Sequence, residues 1–167
     1  MISKKIILIG DFATGKTSFI RRYVDNQFSD TYLSTIGVKI SRKNIALEHE
    51  TVQGLIWDIE GGTEIKPVNT TYLTGAHGCI IVADITREET IEHIANYLKT
   101  IGDIIPSAPV ILVLNKRDML ENITAKNILE QVKQQYGQTV NDIYLGSAKS
   151  GSGVEEVFYT LAHSMLT

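Results

Sequence analysis

Gly10-Asp11-Phe12-Ala13-Thr14-Gly15-Lys16-Thr17 satisfies the spacing G-x-x-x-x-G-K-[ST] at every fixed position. The chemistry this pattern supports is phosphate capture. Its glycines let the backbone curl until the N–H groups face an anion, and a helix N-terminus behind them adds partial positive charge. Lys16 can place a full charge on the β- and γ-phosphates of a nucleotide, and the Thr17 hydroxyl can ligate Mg²⁺. Asp58, which ends the apolar run Leu55-Ile56-Trp57, is the second metal-side candidate. Many strands end in Asp, so Asp58 gains its meaning from being paired with the loop.

Asn115-Lys116-Arg117-Asp118 follows the apolar run Val110 to Leu114 and has the form N-K-x-D. Guanine offers an N1–H and an exocyclic amine, and one carboxylate accepts from both. Adenine lacks that donor pair and would leave a buried Asp118 unmatched, so the residue selects by penalty as well as by attraction. Ser147-Ala148-Lys149 offers a backbone N–H to a guanine carbonyl, a weak signal that counts only in order with the others. Phe28 either packs its ring on the base or is an ordinary core aromatic.

These residues need a scaffold, and short β-like runs alternate with helical ones along the chain. Lys5 to Gly10 reads as a buried strand and about Gly15 to Asn26 as a helix, which is the context the phosphate loop requires. Val38 to Leu47 and Thr51 to Asp58 form an antiparallel hairpin bent at His49-Glu50. Gly78 to Asp84 and Val110 to Asn115 are continuous apolar runs, as in strands buried on both faces of a parallel sheet. A last short strand covers about Asp142 to Leu145. Thr86 is expected to cap a helix running to about Ile101, and Thr124 another that stops at Gly137. A final helix runs from Gly153 with Val154, Val157, Phe158, Leu161 and Met165 at helical spacing. Such alternation implies a three-layer α/β sandwich, with ligand loops outside the carboxyl ends of the strands.

At 167 residues, 43% hydrophobic and 21% charged, the chain suits one well-cored domain, residues 1–167, with no repeat or linker. A net charge of −3 and the lack of a basic run leave no electrostatic footprint for nucleic acid. Cys79 is the lone cysteine, which excludes a disulfide framework and suits a reduced, cytoplasmic setting. Apolar runs such as Cys79 to Ala83 are too short to span a bilayer, and neither Ile2 nor the terminal Ser-Met-Leu-Thr offers a lipidation site, so no membrane anchor is expected.

Taken together, these motifs resemble the Ras superfamily of small GTPases, most nearly the Rab type. The resemblance runs the length of the chain and rests on Gly10 to Thr17, Ser34-Thr35-Ile36-Gly37-Val38, Trp57-Asp58 with Gly61, Asn115 to Asp118, and Ser147 to Lys149. It implies a P-loop G domain with a six-stranded, mostly parallel sheet, one antiparallel strand and about five helices. It implies phosphate contacts from Asp11, Ala13, Thr14, Gly15, Lys16, Thr17 and Ser18, and base contacts from Phe28, Asn115, Lys116, Asp118, Ser147, Ala148 and Lys149. Mg²⁺ would be held by Thr17, Thr35 and Asp58, while Lys16, Thr35 and the Gly61 N–H would act on the γ-phosphate of GTP. Effector, exchange-factor and GAP-type partners would read switch I, Trp57, Tyr72 and switch II. Trp57 and Tyr72 match members of an aromatic trio of Rabs whose third position is Ile40 here, and Lys39 replaces an acidic residue. Plain packing of the hairpin is the alternative account of these side chains.

Two departures bear on catalysis. The family typically carries D-T-A-G-Q where this chain has Asp58-Ile59-Glu60-Gly61-Gly62, so Gly62 stands where a Gln orients the attacking water. Phe12 fills a position that is usually small in Ras proteins. Glu60, Glu64 or His77 could substitute for the Gln, and Gly62 is expected to loosen the segment. The expectation is a GTP/GDP switch that hydrolyses slowly; the alternative is a hydrolysis-deficient scaffold cycling by exchange. A P-loop kinase would need an arginine-bearing lid, and no insertion is long enough to build one.

Overall fold

The computed structural model describes residues 1–31 and 35–167. Its strands are β1 (Ile2–Ile9), β2 (Val38–Ala46), β3 (Thr51–Ile59), β4 (Gly78–Asp84), β5 (Val110–Asn115) and β6 (Asp142–Leu145). Its helices are α1 (Lys16–Asp25), α2 (Glu88–Glu92), α3 (Ile94–Ile104), α4 (Asn122–Tyr136) and α5 (Val154–Ser164). The strands form one sheet in the order β2-β3-β1-β4-β5-β6, antiparallel only where β2 meets β3.

The side-chain period of two explains the three layers. Ile6 and Leu8 of β1, Ile80 and Val82 of β4, and Ile111 and Val113 of β5 face α1 and α5, where they meet Phe19, Ile20, Phe158 and Leu161. Their neighbours Ile7, Ile9, Cys79, Ile81, Leu112 and Leu114 face the other way, toward Ile94 and Ile101 of α3 and Val132 of α4. β4 and β5 are buried along their whole length, so they read as unbroken apolar runs rather than alternating ones. Between α1 and α5, Tyr23 stacks on Phe158 with ring centroids 3.9 Å apart and planes 6° from parallel.

Local chemistry corrected two expected caps. Thr86 does not start a helix; its hydroxyl and N–H both donate to Asp84 Oδ1, and α2 begins beyond Arg87. The helical run then breaks at His93, where α3 takes over and continues through Gly102 to Ile104, just ahead of Pro106. Thr124 lies inside α4, whose N-cap is Glu121; its end at Gly137 is where expected. β1 also starts earlier than Lys5, because Ile2 and Ser3 already pair with Val52 and Gln53.

All parallel strands end on one edge. β1 runs into Gly10, the penultimate residue of β3, Asp58, lies beside Leu8, and Asp84 of β4 lies opposite Asn115 of β5. The loops that carry the expected site therefore emerge side by side, at the place where open α/β sheets bind ligands.

Candidate functional site: a cavity at the carboxyl edge of the sheet

A cavity of about 390 Å³ opens on this edge. Ala13, Gly15, Lys16, Thr17 and Ser18 line one side of it, and Phe28, Asn115, Lys116, Asp118, Ala148 and Lys149 line the other. Phe12, Thr35, Asp58 and Gly61 also line it. The side chains of three expected contacts do not line it. Thr14 and Ser147 are fully buried behind the wall, and the Asp11 side chain turns away toward α3. Ser34 lies outside the described residues.

The phosphate loop has the curl its glycines allow. Gly15 takes φ 95°, and a Cβ there would run into the Asn115 amide, so only glycine fits. That amide donates to Thr14 O at 3.0 Å, which ties the base loop directly to the phosphate loop. Lys16 is 6% exposed and donates to Asp11 O at 2.9 Å. Burial pushes its ammonium down to about 8, with Asp58 and Asp11 pulling it back up. The Thr14 hydroxyl closes the turn on Asp11 O at 3.1 Å.

The metal-side residues converge. Thr17 Oγ1 lies 2.6 Å from Asp58 Oδ2 and 2.5 Å from Thr35 Oγ1, and Thr35 Oγ1 lies 3.1 Å from the same carboxylate oxygen. Asp58 is 2% exposed, yet its Oδ1 has no hydrogen-bond partner. Burial pushes this carboxyl upward against the Thr17 hydrogen bond and the Lys16 charge. Two hydroxyls and a desolvated carboxylate with an unsatisfied oxygen form a hard-oxygen donor set, which fits Mg²⁺.

On the base side, Asp118 Oδ1 accepts the Ser147 hydroxyl at 2.7 Å, and Asn115 Oδ1 accepts the Ala148 N–H at 3.3 Å. Phe28 is 36% exposed on the cavity wall, so it is not a core aromatic. Arg22 braces the loop from α1, donating to Ala148 O at 2.8 Å and Lys149 O at 2.6 Å.

Gly62, expected to loosen its segment, has a backbone that is hydrogen-bonded to the phosphate loop on both sides. It is buried, and its backbone bridges to the phosphate loop: the Phe12 N–H donates to Gly62 O at 2.8 Å, and the Gly62 N–H to Gly10 O at 3.1 Å. The space of its missing side chain is already used. A Cβ would come within 2.9 Å of the Tyr97 hydroxyl and 3.1 Å of Val68. Tyr97 in turn donates to Asp11 Oδ1 at 2.6 Å, and His93 Nδ1 lies 2.6 Å from Asp11 Oδ2.

Two of the three expected substitutes for a water-positioning Gln, Glu60 and His77, are engaged elsewhere. Glu60 accepts the Gly37 N–H at 3.2 Å and pairs with Lys66 at 3.1 Å. His77 Nδ1 accepts the Lys5 N–H at 2.8 Å, at the amino end of β4 and away from the cavity. Glu64 is exposed. On the hairpin, Ile40 pairs with Trp57 across the strands; Tyr72, from the turn Thr70–Leu73, sits 6.2 Å from the Trp57 ring, and the Lys5 ammonium lies 3.8 Å above it.

Sequence reasoning passed over Asp84, Arg87, His93, Tyr97 and Arg22. Asp84 carried the same signal as Asp58, an acid ending a buried strand, and the i,i+4 pair His93 and Tyr97 shares one helix face.

A strand, a glycine-rich turn and a helix N-terminus beside a base-sized wall define a P-loop nucleotide-binding protein. The chain matches the sequence model of the Ras family over residues 5–167. It is 36% identical over 168 residues to the Ras-related protein Rab-1 of Theileria parva, covering 96% of this chain and 73% of that one. It is 37% identical over 160 residues to the GTP-binding protein YPTM1 of Zea mays, covering 95% and 76%, and 35% identical over 163 residues to the Ras-related protein Rab-13 of Mesocricetus auratus, covering 97% and 79%. The protein belongs to the Ras family of small GTPases, GTP/GDP-binding switches, and is Rab-like among them. Among the described residues, no helix is long and apolar enough to cross a membrane.

Proposed function

We propose that residues 1–167 work as one G domain that binds guanine nucleotide with Mg²⁺ in the carboxyl-edge cavity and hydrolyses GTP slowly. The observation that carries this reading is the convergence of Thr17 and Thr35 on Asp58 Oδ2 while Asp58 Oδ1 stays unsatisfied. Thr17, Thr35 and Asp58 would hold the ion, whose chemistry is to neutralise charge on the β- and γ-oxygens. Lys16 would supply a desolvated cation to the same phosphates, and Gly61, which lines the cavity, would offer its N–H to the γ-phosphate. Asp118 and the Ala148 N–H choose guanine, with Phe28 and the Lys116 stem on its two faces.

Slow turnover follows from what Gly62 lacks and from what surrounds it. No side chain extends toward a water from this position, and Glu60 is held by Gly37 and Lys66. Effectors, exchange factors and GAP-type partners would read switch I, the Trp57–Tyr72 face and the segment from Gly61 onward. Cycling by exchange alone is the second reading, favoured by the backbone bridge that clasps Gly62 to the phosphate loop.

The test is single-turnover hydrolysis of stoichiometrically bound GTP with Mg²⁺. The expected rate is no faster than roughly 10⁻⁴ s⁻¹, the scale of unassisted Ras-type enzymes. A rate thousands-fold higher without a partner sinks the slow-switch reading, and no detectable phosphate release selects exchange alone. ATP competing equally with GTP would show that Asp118 does not choose the base.

A further inference from the structure

Asp84 closes β4 beside Asn115 and is 1% exposed. Its Oδ1 is saturated by the Thr86 N–H at 2.9 Å and the Thr86 hydroxyl at 2.6 Å. Its Oδ2 faces two cations, Lys116 Nζ at 2.8 Å and Arg87 Nη1 at 3.9 Å. Both cations continue to the same short stretch of backbone. Lys116 Nζ donates to Ala13 O at 3.0 Å, and Arg87 Nη1 donates to Phe12 O at 3.0 Å and Ala13 O at 3.3 Å. One buried carboxylate thus gathers two positive groups onto consecutive carbonyls of the phosphate loop.

The consequence lies in the peptide plane. In a trans peptide the C=O of one residue and the N–H of the next point in opposite directions. Holding the Phe12 and Ala13 carbonyls on cations turns the N–H groups of Ala13 and Thr14 the other way, the direction in which an anion is gripped. A cation on the carbonyl also polarises the peptide and strengthens that N–H as a donor. Burial alone would favour the protonated acid at Asp84, but the Lys116 and Thr86 hydrogen bonds outweigh it and hold the carboxyl below its usual range.

We propose that Asp84 and Arg87 are positioning residues that hold the phosphate loop in its anion-gripping shape and so set how long GDP or GTP stays bound. Neither lines the cavity; both act through Lys116 and the loop backbone. The proposal rests on the assignment of Gly10 to Thr17 as the phosphate site.

The measurement is dissociation of a fluorescent GDP analogue from the Mg²⁺-loaded protein, chased with excess GDP. Arg87→Met should speed release roughly tenfold, the scale for losing charge-assisted hydrogen bonds. Arg87→Lys should recover part of that, since an ammonium lacks the guanidinium's fork. Asp84→Asn should exceed Arg87→Met, and the double variant should fall short of the product of the two because both act through one network. An unchanged release rate in Arg87→Met overturns the proposal. So does equal acceleration in Arg87→Met and Arg87→Lys with an equal fall in unfolding midpoint, which would mark general loosening. If Asp84→Asn does not fold, the Arg87 pair still decides. A native protein that holds no guanine nucleotide removes the loop assignment and the proposal with it.

Discussion

Single atoms decide what Gly62 can become. The Tyr97 hydroxyl stands 2.9 Å from where a Cβ would be, and it is held there by Asp11. Restoring a Gln at this position therefore meets an obstacle that sequence comparison does not show. Gly62→Gln alone is expected to change single-turnover GTP hydrolysis by less than about threefold, because the new side chain must displace Tyr97 to fit, a cost of order 1–3 kcal/mol. Gly62→Gln with Tyr97→Phe removes the obstructing oxygen and should hydrolyse faster than either single variant. Equal rates in Gly62→Gln and the double variant would show that Tyr97 is not the obstacle. Asp118 allows a comparably sharp test. The native protein should prefer GDP to IDP, whose base lacks the exocyclic amine, by about tenfold, the worth of one hydrogen bond to a carboxylate. Asp118→Ala should bind both equally, as read by competition against a fluorescent analogue.

The elements that carry these atoms were legible to different degrees. β4 and β5 fall where their apolar runs place them, because strands buried on both faces read as unbroken apolar runs, and the short β6 also falls where expected. Strand-ending acids and glycine turns marked the phosphate loop, Asp58 and the base loop, since each motif carries its own local geometry. The caps misled at Thr86 and Thr124 because a hydroxyl has several backbone and side-chain partners within reach, and tertiary contacts choose among them. What stayed hidden was contact across elements: nothing local in Gly62 or Asp11 says that α3 packs beside them. That packing has its own pH signature. The hydrogen bond to Asp11, with the Glu92 and Glu64 charges, raises the His93 pKa above its ordinary 6.5. A raised folded-state value means the stabilisation is fully present below about pH 6.5 and fades as pH rises through the folded value. Relative to His93→Gln, the native protein should therefore gain urea resistance between pH 8 and pH 5.5. The gain should stay under about 1 kcal/mol, because the ring is partly exposed. A difference that is flat across this range would show that the Asp11–His93 contact carries no charge.

Two packed layers and one ligand edge share a sheet, so stability of the whole molecule is bound up with occupancy of the site. Phe158 joins the helical layer of α1 and α5 to the sheet and is fully buried, stacked on Tyr23 and 5.9 Å from Phe19. Phe158→Ala should cost about 3–5 kcal/mol of unfolding free energy. It should leave the GDP over IDP preference intact, because no atom of Phe158 reaches the cavity wall. The ligand acts from the opposite direction. Any group that binds only the folded state stabilises it by mass action, about 2.7 kcal/mol at a hundredfold excess over Kd. GDP with Mg²⁺ should therefore raise the unfolding midpoint of native protein and of Phe158→Ala by similar free energies. If Asp58 Oδ1 is satisfied through the ion, chelating Mg²⁺ from the GDP-bound protein should lower the midpoint and speed GDP release together, while Asp58→Asn should lose most of that sensitivity to the chelator. A midpoint indifferent to chelation in the GDP-bound native protein would remove Thr17, Thr35 and Asp58 as a metal site and leave Lys16 and the loop amides to hold the phosphates alone.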